Sequence, residues 1–176
     1  FFENILSLNT PVALATVFAS TEKGQTGKKI LLKPNSQQPT SAAQPLEKLI
    51  HADLLNVFES KKSEAKKYAH GENETEVFIE LIQPSVSLII FGGGFDARPV
   101  SQLAKSLGWT VSVTDKCVAH IAPLFFPSAD KLSLCQRNFI DRDFDITPYT
   151  ACVLMSHNYE YDRDVLKKLI KTETPY

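Results

Sequence analysis

The fold is decided by one stretch of the chain, S-V-S-L-I-I-F-G-G-G-F-D-A-R-P-V-S-Q-L-A-K-S-L-G-W-T-V-S-V-T-D, which runs from Ser85 to Asp115. It begins as an apolar strand, turns at three glycines, continues as a helix and ends as a second strand. Gly92, Gly94 and Ala97 have the spacing G-x-G-x-x-G/A, and Asp115 follows about 20 residues further on. This order is typical of a Rossmann-type βαβ unit that binds a dinucleotide at its glycine turn.

Each residue type in the turn has a physical reason for its position. Gly92 has no Cβ, so the chain can turn sharply out of the strand. Gly94 lets backbone N–H groups approach a phosphate, and Ala97 lets the helix pack closely on the sheet. The first helical turn then presents unpaired N–H donors and a partial positive charge. We therefore expect the N–H groups of residues 93–97 to bind an anion, with Arg98 adding a charge-assisted contact.

Other interpretations of the same residues remain open. A glycine turn of this kind also occurs in α/β proteins that bind no ligand. A site for S-adenosylmethionine uses a glycine loop too, but usually has an acid just before the glycines, where this chain has Ile89 and Ile90. Asp115 lies where a ribose-binding carboxylate is expected, so we favour a dinucleotide-type ligand.

A second group of polar residues, S-H-N-Y-E-Y-D, follows the strand predicted at residues 151–155. Ligands of open parallel sheets bind beyond the carboxyl ends of the strands, at the switch in strand order. His157 could donate to a phosphate, act as acid or base with Glu160 or Asp162, or cap the next helix. The predicted cofactor-binding residues are Gly92, Gly93, Gly94, Phe95, Asp96, Ala97, Arg98, Asp115, Ser156 and His157.

The fold class predicted from these patterns is α/β, with a parallel Rossmann-like sheet preceded by a small α+β domain. We place the boundary between residues 1–84 and 85–176. The first part predicts a hairpin of strands 10–18 and 28–32, a helix over 45–68 with a lysine-rich solvated end, and a strand over 76–82. The second part predicts strands at 86–91, 110–114, 131–135 and 151–155 and helices at 97–107 and 161–171.

The composition of the chain argues against several classes of function. The chain has 176 residues, 43% of them hydrophobic, and a net charge of −1, which favours neither nucleic-acid binding nor a membrane partner. No apolar run is long enough to span a bilayer and no signal peptide is recognisable. The three cysteines lack C-x-x-C spacing, which argues against a disulfide framework and a structural metal site. A reducing cytoplasm is the expected setting.

Four segments in this order resemble the XdhC/CoxI family, the accessory proteins of molybdenum hydroxylases such as xanthine dehydrogenase. They are F-G-G-G-F-D-A-R-P, W-T-V-S-V-T-D, F-P-S-A-D and V-L-M-S-H-N-Y-E-Y-D. The resemblance is best over residues 76–176, which correspond to the C-terminal Rossmann domain of the family, and it implies that the chain stops before the last strand of that domain.

The resemblance implies a chaperone more than a catalyst, with no catalytic residues of its own. Such a protein binds molybdenum cofactor, protects it and inserts it into an apo-hydroxylase, working with a sulfurtransferase and as a homodimer. The family's glycine-glycine-cysteine loop is absent from the N-terminal part of this chain. Two alternatives therefore stay open: a fragment of an NAD(P)-dependent oxidoreductase, and a degenerate nucleotide sensor without catalysis.

Overall fold

The computed structural model describes residues 5, 8, 10–34, 45–134 and 143–175. Its contacts divide the chain into two compact units, Phe1–Pro84 and Ser85–Tyr176. Each unit contains a four-stranded sheet. Among the helices that lie in the described residues, none is both long enough and apolar enough to cross a bilayer.

The N-terminal unit is an antiparallel sheet with one long helix. In the described residues its elements include β1 (Val12–Ser20), β2 (Lys29–Leu32), α1 (Pro45–Ser60), β3 (Glu64–His70) and β4 (Asn73–Ile82). The strands lie in the order β2-β1-β4-β3, and each pairs antiparallel with its neighbour. The predicted hairpin of β1 and β2 is confirmed, and the apolar β1 lies inside the sheet, where residues 12–15 are buried.

The core of this unit lies between α1 and one face of the sheet. The helix contributes apolar residues at three- and four-residue spacing, namely Leu46, Ile50, Leu54 and Val57. The strands contribute Ala13, Ala15, Val17, Val77 and Ile79. Each large aliphatic side chain buried here stabilises the unit by roughly 1.5–3 kcal/mol, so this contact holds α1 on the sheet.

The helix is shorter than predicted. The sequence pattern indicates a helix as far as Tyr68, but α1 ends at Ser60 and Lys61 takes a left-handed conformation, with φ 55°. Residues 64–70, E-A-K-K-Y-A-H, form β3 instead. Pairing with β4 over the whole of this segment supplies backbone hydrogen bonds that outweigh its weak helical pattern.

The predicted lysine-rich helix end is therefore wrong, because all four of its lysines follow Ser60, the last residue of α1, namely Lys61, Lys62, Lys66 and Lys67. Lys66 donates to Asp53 of α1 at 2.5 Å, and Lys67 forms an ion pair with Glu74 at 2.7 Å. The Tyr68 hydroxyl also donates to Asp53, at 2.6 Å. Burial raises the pKa of Asp53, but the hydrogen bonds from Lys66 and Tyr68 outweigh it and hold that pKa below its usual value. These contacts tie β3 to the helix.

The C-terminal unit is the predicted parallel sheet. Its elements are β5 (Ser87–Phe91), α2 (Ala97–Ser106), β6 (Thr110–Asp115), a 3₁₀ turn (Val118–Ile121), β7 (Lys131–Leu134), β8 (Thr150–Leu154) and α3 (Tyr159–Leu169). The strands and the two α-helices begin and end within two residues of the prediction, except that Cys135, at the predicted end of β7, lies outside the described residues. The strand order is β7-β6-β5-β8, and the predicted parallel pairing is confirmed throughout.

A helix packs on each face of this sheet, which explains why β5 has apolar side chains on both of its faces. Leu88 and Ile90 belong to the core that includes Ala97 and Ala104 of α2. Ile89 and Phe91 belong to a second core, which α3 completes with Tyr161, Val165 and Leu169. A parallel strand buried on both sides carries a continuous apolar run, as the sequence L-I-I-F does.

Candidate functional site

The strand order places two of the predicted loops side by side. The chain proceeds outward from β5 to β6 and β7, then returns to the other side of β5 for β8. Phe91 is paired with Leu154 at the carboxyl ends of β5 and β8, and with Thr114 near the end of β6. The glycine turn, Asp115 and Ser156-His157 therefore leave the same edge of the sheet. The switch in strand order lies between the glycine turn and Ser156.

Gly92 is required by the packing of the chain itself. It has φ 129°, a region that side chains rarely adopt, and its N–H donates to the Thr114 carbonyl at 2.7 Å. A Cβ at this position would lie 2.6 Å from the carbonyl carbon of Met155, just after β8. The first glycine thus allows the turn to pass between β6 and β8.

Asp115 is committed to holding neighbouring loops. Its carboxylate accepts the N–H of Gly93 on Oδ2 and the N–H of Cys117 on Oδ1, both at 2.8 Å. His120 Nδ1 lies 3.3 Å from the same Oδ2. The residue is only 4% exposed. The carboxylate that the sequence suggests for a ribose diol therefore has little access to a ligand.

The open part of the turn begins at Gly94. Within the described chain, the N–H groups of Gly94, Phe95 and Asp96 have no protein acceptor, whereas the Ala97 N–H donates to the Gly94 carbonyl at 3.2 Å. A Cβ on Gly94 would meet only the tip of the Asp96 side chain and, more distantly, the His157 ring. Three consecutive donors at the start of α2 are therefore available to an anion.

Asp96 and His157 join the two loops at the switch point. Asp96 is at the N-cap position of α2, yet its side chain makes no capping hydrogen bond. Its Oδ2 lies 2.8 Å from His157 Nε2 instead, where the His157 side chain is largely exposed and that of Asp96 about half exposed. His157 takes the left-handed conformation, with φ 56°, which is uncommon for a residue other than glycine.

The acidic partner of His157 is not evident from the sequence. Glu160 and Asp162 are the partners that closeness in the chain suggests, but Asp162 accepts the Ser156 hydroxyl at 2.6 Å. The predicted cap of the following helix falls to Asn158, whose side chain accepts the Tyr161 N–H at 2.9 Å. Ser156 thus supports the loop that carries His157.

Arg98 brings a positive charge to the same turn. Its Cζ lies 3.8 Å from the centre of the Phe125 ring and 5.0 Å from that of Phe95. In the described residues no carboxylate pairs with this guanidinium, and its Nε is buried without a hydrogen-bond partner. Phe95 itself is 81% exposed beside the unpaired N–H groups. Phe125, which no sequence motif marks, fixes one side of Arg98.

Two of the three cysteines, Cys117 and Cys152, lie in the described residues, and both are free thiols. No three His, Cys, Asp or Glu side chains of the described residues are grouped closely enough to hold a metal ion. Cys152 lies in β8, and burial raises the pKa of its thiol to about 11, so the thiol stays protonated at neutral pH.

The family model of the XdhC Rossmann domain matches residues 88–176, half of the chain. The chain belongs to the XdhC family. The matched residues include the glycine turn, Asp115 and the loop of His157, and they end with α3 and the residues after it. The resemblance seen in the four sequence segments is thereby confirmed.

One curated protein and one solved structure are also similar to this chain. A probable subunit of xanthine dehydrogenase from Bacillus subtilis (strain 168) is 33% identical over 107 residues, which cover 61% of this chain and 32% of that protein. The chain thus spans about a third of the length of this relative. A crystal structure of a xanthine dehydrogenase from Bacillus halodurans shares the fold, with a TM-score of 0.54 at 16% identity over 99% of this chain and 76% of its own.

Proposed function

We propose that this XdhC family protein is an accessory factor of a xanthine dehydrogenase-type molybdenum hydroxylase. In this proposal, the crevice at the switch point binds the phosphate of the molybdenum cofactor. The observation that carries the proposal is the set of unpaired N–H groups of Gly94, Phe95 and Asp96 at the start of α2, opposite His157. A helix N-terminus with free donors favours a phosphate group.

The charges around the turn support an anionic ligand. The carboxylate of Asp115 is enclosed by its hydrogen bonds to the loops, and that of Asp96 is turned toward His157. Because Asp96 does not cap α2, the N–H groups stay available. The Arg98 guanidinium has no carboxylate partner among the described residues, so its charge favours an anion beside the same turn.

The residues present fit the phosphate end of the cofactor. The N–H groups of residues 94–96 and Arg98 would hold the phosphate, and His157 would donate to a polar atom of the head group. The cofactor, when bound, supplies the molybdenum chemistry of the client enzyme. The chain itself binds and orients the group and shields it from water, which requires no catalytic residue.

The oxidoreductase alternative is less well supported by the geometry. An NAD-dependent enzyme of this fold uses the carboxylate after the second strand for the ribose diol. Here both oxygens of Asp115 accept backbone N–H groups, and the residue is 4% exposed. The names of the two Bacillus relatives also point to xanthine dehydrogenase. We therefore propose that this protein is a homodimer and that its partners are an apo-hydroxylase and a sulfurtransferase. It would bind each of them transiently, through an interface of modest size.

Two experiments test the proposal. In the first, apo-hydroxylase and cofactor are incubated with and without this protein, and a gain in hydroxylase activity is expected. In the second, Gly94→Val should abolish cofactor binding, because the added side chain fills the open side of the turn. Gln102→Val, on the exposed face of α2, is the matched control and should bind normally.

The negative outcomes separate the alternatives. Hydride transfer from a nicotinamide by this protein alone, without any gain in hydroxylase activity, would establish the oxidoreductase. Nucleotide binding without hydride transfer would favour the degenerate sensor. Absence of any bound cofactor or nucleotide would favour a degenerate homologue that has lost the site. Unchanged cofactor affinity in Gly94→Val would overturn the assignment of the turn.

A further inference from the structure

One half of the crevice is closed by the chain itself. The segment formed by residues 117–121, here called the covering loop, follows β6 and includes the 3₁₀ turn. A Cβ on Gly93 would lie 2.7 Å from the carbonyl oxygen of His120 and 3.0 Å from its Cβ. Gly93 is therefore a glycine because the covering loop lies directly over it.

Asp115 fastens the covering loop to the glycine turn. One carboxylate oxygen accepts the Gly93 N–H and the other accepts the Cys117 N–H, both at 2.8 Å. The His120 ring lies against the same carboxylate, with Nδ1 3.3 Å from Oδ2. A buried carboxylate with two backbone donors holds both segments together, because releasing either leaves polar groups without partners.

The covered half is the one in which a dinucleotide places a nucleoside. In Rossmann sites the pyrophosphate lies on the glycine turn and one ribose reaches the carboxylate at the end of the second strand. Here that carboxylate and the neighbouring Gly93 are both buried beneath the covering loop. The other side of the turn, toward Gly94 and His157, is the open one.

We infer that the crevice is specific for a ligand with a terminal phosphomonoester and excludes ligands that carry a nucleoside beyond that phosphate. The phosphate binds the N–H groups of residues 94–96, and the rest of the ligand extends only toward the β8 side. This inference rests on the proposed function and adds the chemical form of the ligand. Applied to the pterin cofactor, it selects the monophosphate and rejects the dinucleotide, in which a nucleoside monophosphate is joined to the pterin phosphate through a phosphoanhydride (pyrophosphate) bond.

The test is calorimetric titration of the wild-type protein with these two forms of the pterin. We expect the phosphomonoester to bind at least tenfold more tightly than the dinucleotide. Equal or tighter binding of the dinucleotide would overturn this inference and leave the proposed function standing. Binding of neither form would overturn the proposed function and this inference with it.

A variant tests whether the covering loop is the cause. Asp115→Ala removes the acceptor of both N–H groups, and we expect the preference for the phosphomonoester to fall at least fivefold through tighter binding of the dinucleotide. Asp130→Ala is the matched control, because Asp130 also accepts a backbone N–H, that of Val111, but lies at the opposite edge of the sheet. A folded Asp115→Ala protein with unchanged preference would overturn the role of the loop. The wild-type comparison decides the specificity should that variant fail to fold.

Discussion

Replacement of Gly92 by alanine is expected to destabilise the C-terminal unit, whereas the same replacement at Gly94 is not. The two residues belong to one turn and are only two positions apart, so their sequence context is nearly identical. Their surroundings differ. The new Cβ at Gly92 would lie 2.6 Å from the Met155 carbonyl carbon, a backbone atom that cannot move without shifting the end of β8. The new Cβ at Gly94 would approach only the side-chain tip of Asp96.

The magnitude follows from two costs. Alanine held at the φ of 129° that Gly92 adopts is strained by about 1–3 kcal/mol. Forcing an extra carbon into packed surroundings costs about 1–3 kcal/mol more. The expected loss in the free energy of unfolding is therefore roughly 2–6 kcal/mol, a large share of the stability of a small domain. For Gly94→Ala we expect a loss below about 1 kcal/mol, since no φ strain arises and Asp96 is exposed.

Urea unfolding followed by tryptophan fluorescence measures this difference. Trp109 is the single tryptophan of the chain and packs against the core of the C-terminal unit, so its emission reports that unit. The urea midpoint of Gly92→Ala should fall by about 1–3 M. A midpoint within about 0.3 M of the wild type would refute the reasoning. Equal losses of stability in Gly92→Ala and Gly94→Ala would also refute it, because the effect of alanine would then not depend on the atoms that surround each Cβ.

Three further variants test other parts of the molecule. Asp53→Asn should destabilise the protein at pH 7, and its difference in stability from the wild type should shrink as the pH falls below about 4. The lowered pKa of Asp53 stabilises the folded protein at pH values above the usual pKa of the group, and this stabilisation is lost when the carboxylate is protonated. Circular dichroism melts at several pH values check this, and a difference that does not change with pH would contradict it. Asn158→Ala should cost about 0.5–2 kcal/mol in thermal unfolding, since it removes the acceptor of the Tyr161 N–H. His157→Gly should weaken cofactor binding in fluorescence titration while stability stays within about 1 kcal/mol, because glycine tolerates φ 56°; unchanged affinity would place the head group elsewhere.

Tertiary pairing overrides local pattern in the N-terminal unit. The segment of residues 64–70 carries spacing that a helix can accommodate, and no glycine or proline separates it from the end of α1 at Ser60. Its conformation is decided by the ladder with β4 and by the contacts of Lys66 and Tyr68 with Asp53, which lies 13 and 15 residues away from them in the sequence. Long-range hydrogen bonds of this kind leave no periodic signal.

In the candidate site, too, local sequence predicts some features and long-range contacts decide the others. Residue types and spacing alone locate the glycine turn, Asp115 and His157 at one edge, because parallel βαβ topology brings the carboxyl ends of strands together irrespective of detail. The hydrogen-bond partners of those residues could not be predicted from residue types and spacing. Asp96 and His157 meet across 61 positions, and Gly93 meets Asp115 across 22.

By itself, then, the sequence determined the order of strands and helices after Ser85, the glycine turn and the edge of the sheet at which the predicted site residues lie. These depend on local properties, namely apolar periodicity, the missing Cβ of glycine and the spacing of a βαβ unit. Only the tertiary structure decided which polar groups are already used. Asp115 is enclosed by two backbone N–H groups, while those of residues 94–96 stay open. That difference depends on the path of the covering loop over Gly93. A backbone N–H group finds an acceptor on a distant segment only when the two segments pack together, and local sequence does not determine this packing.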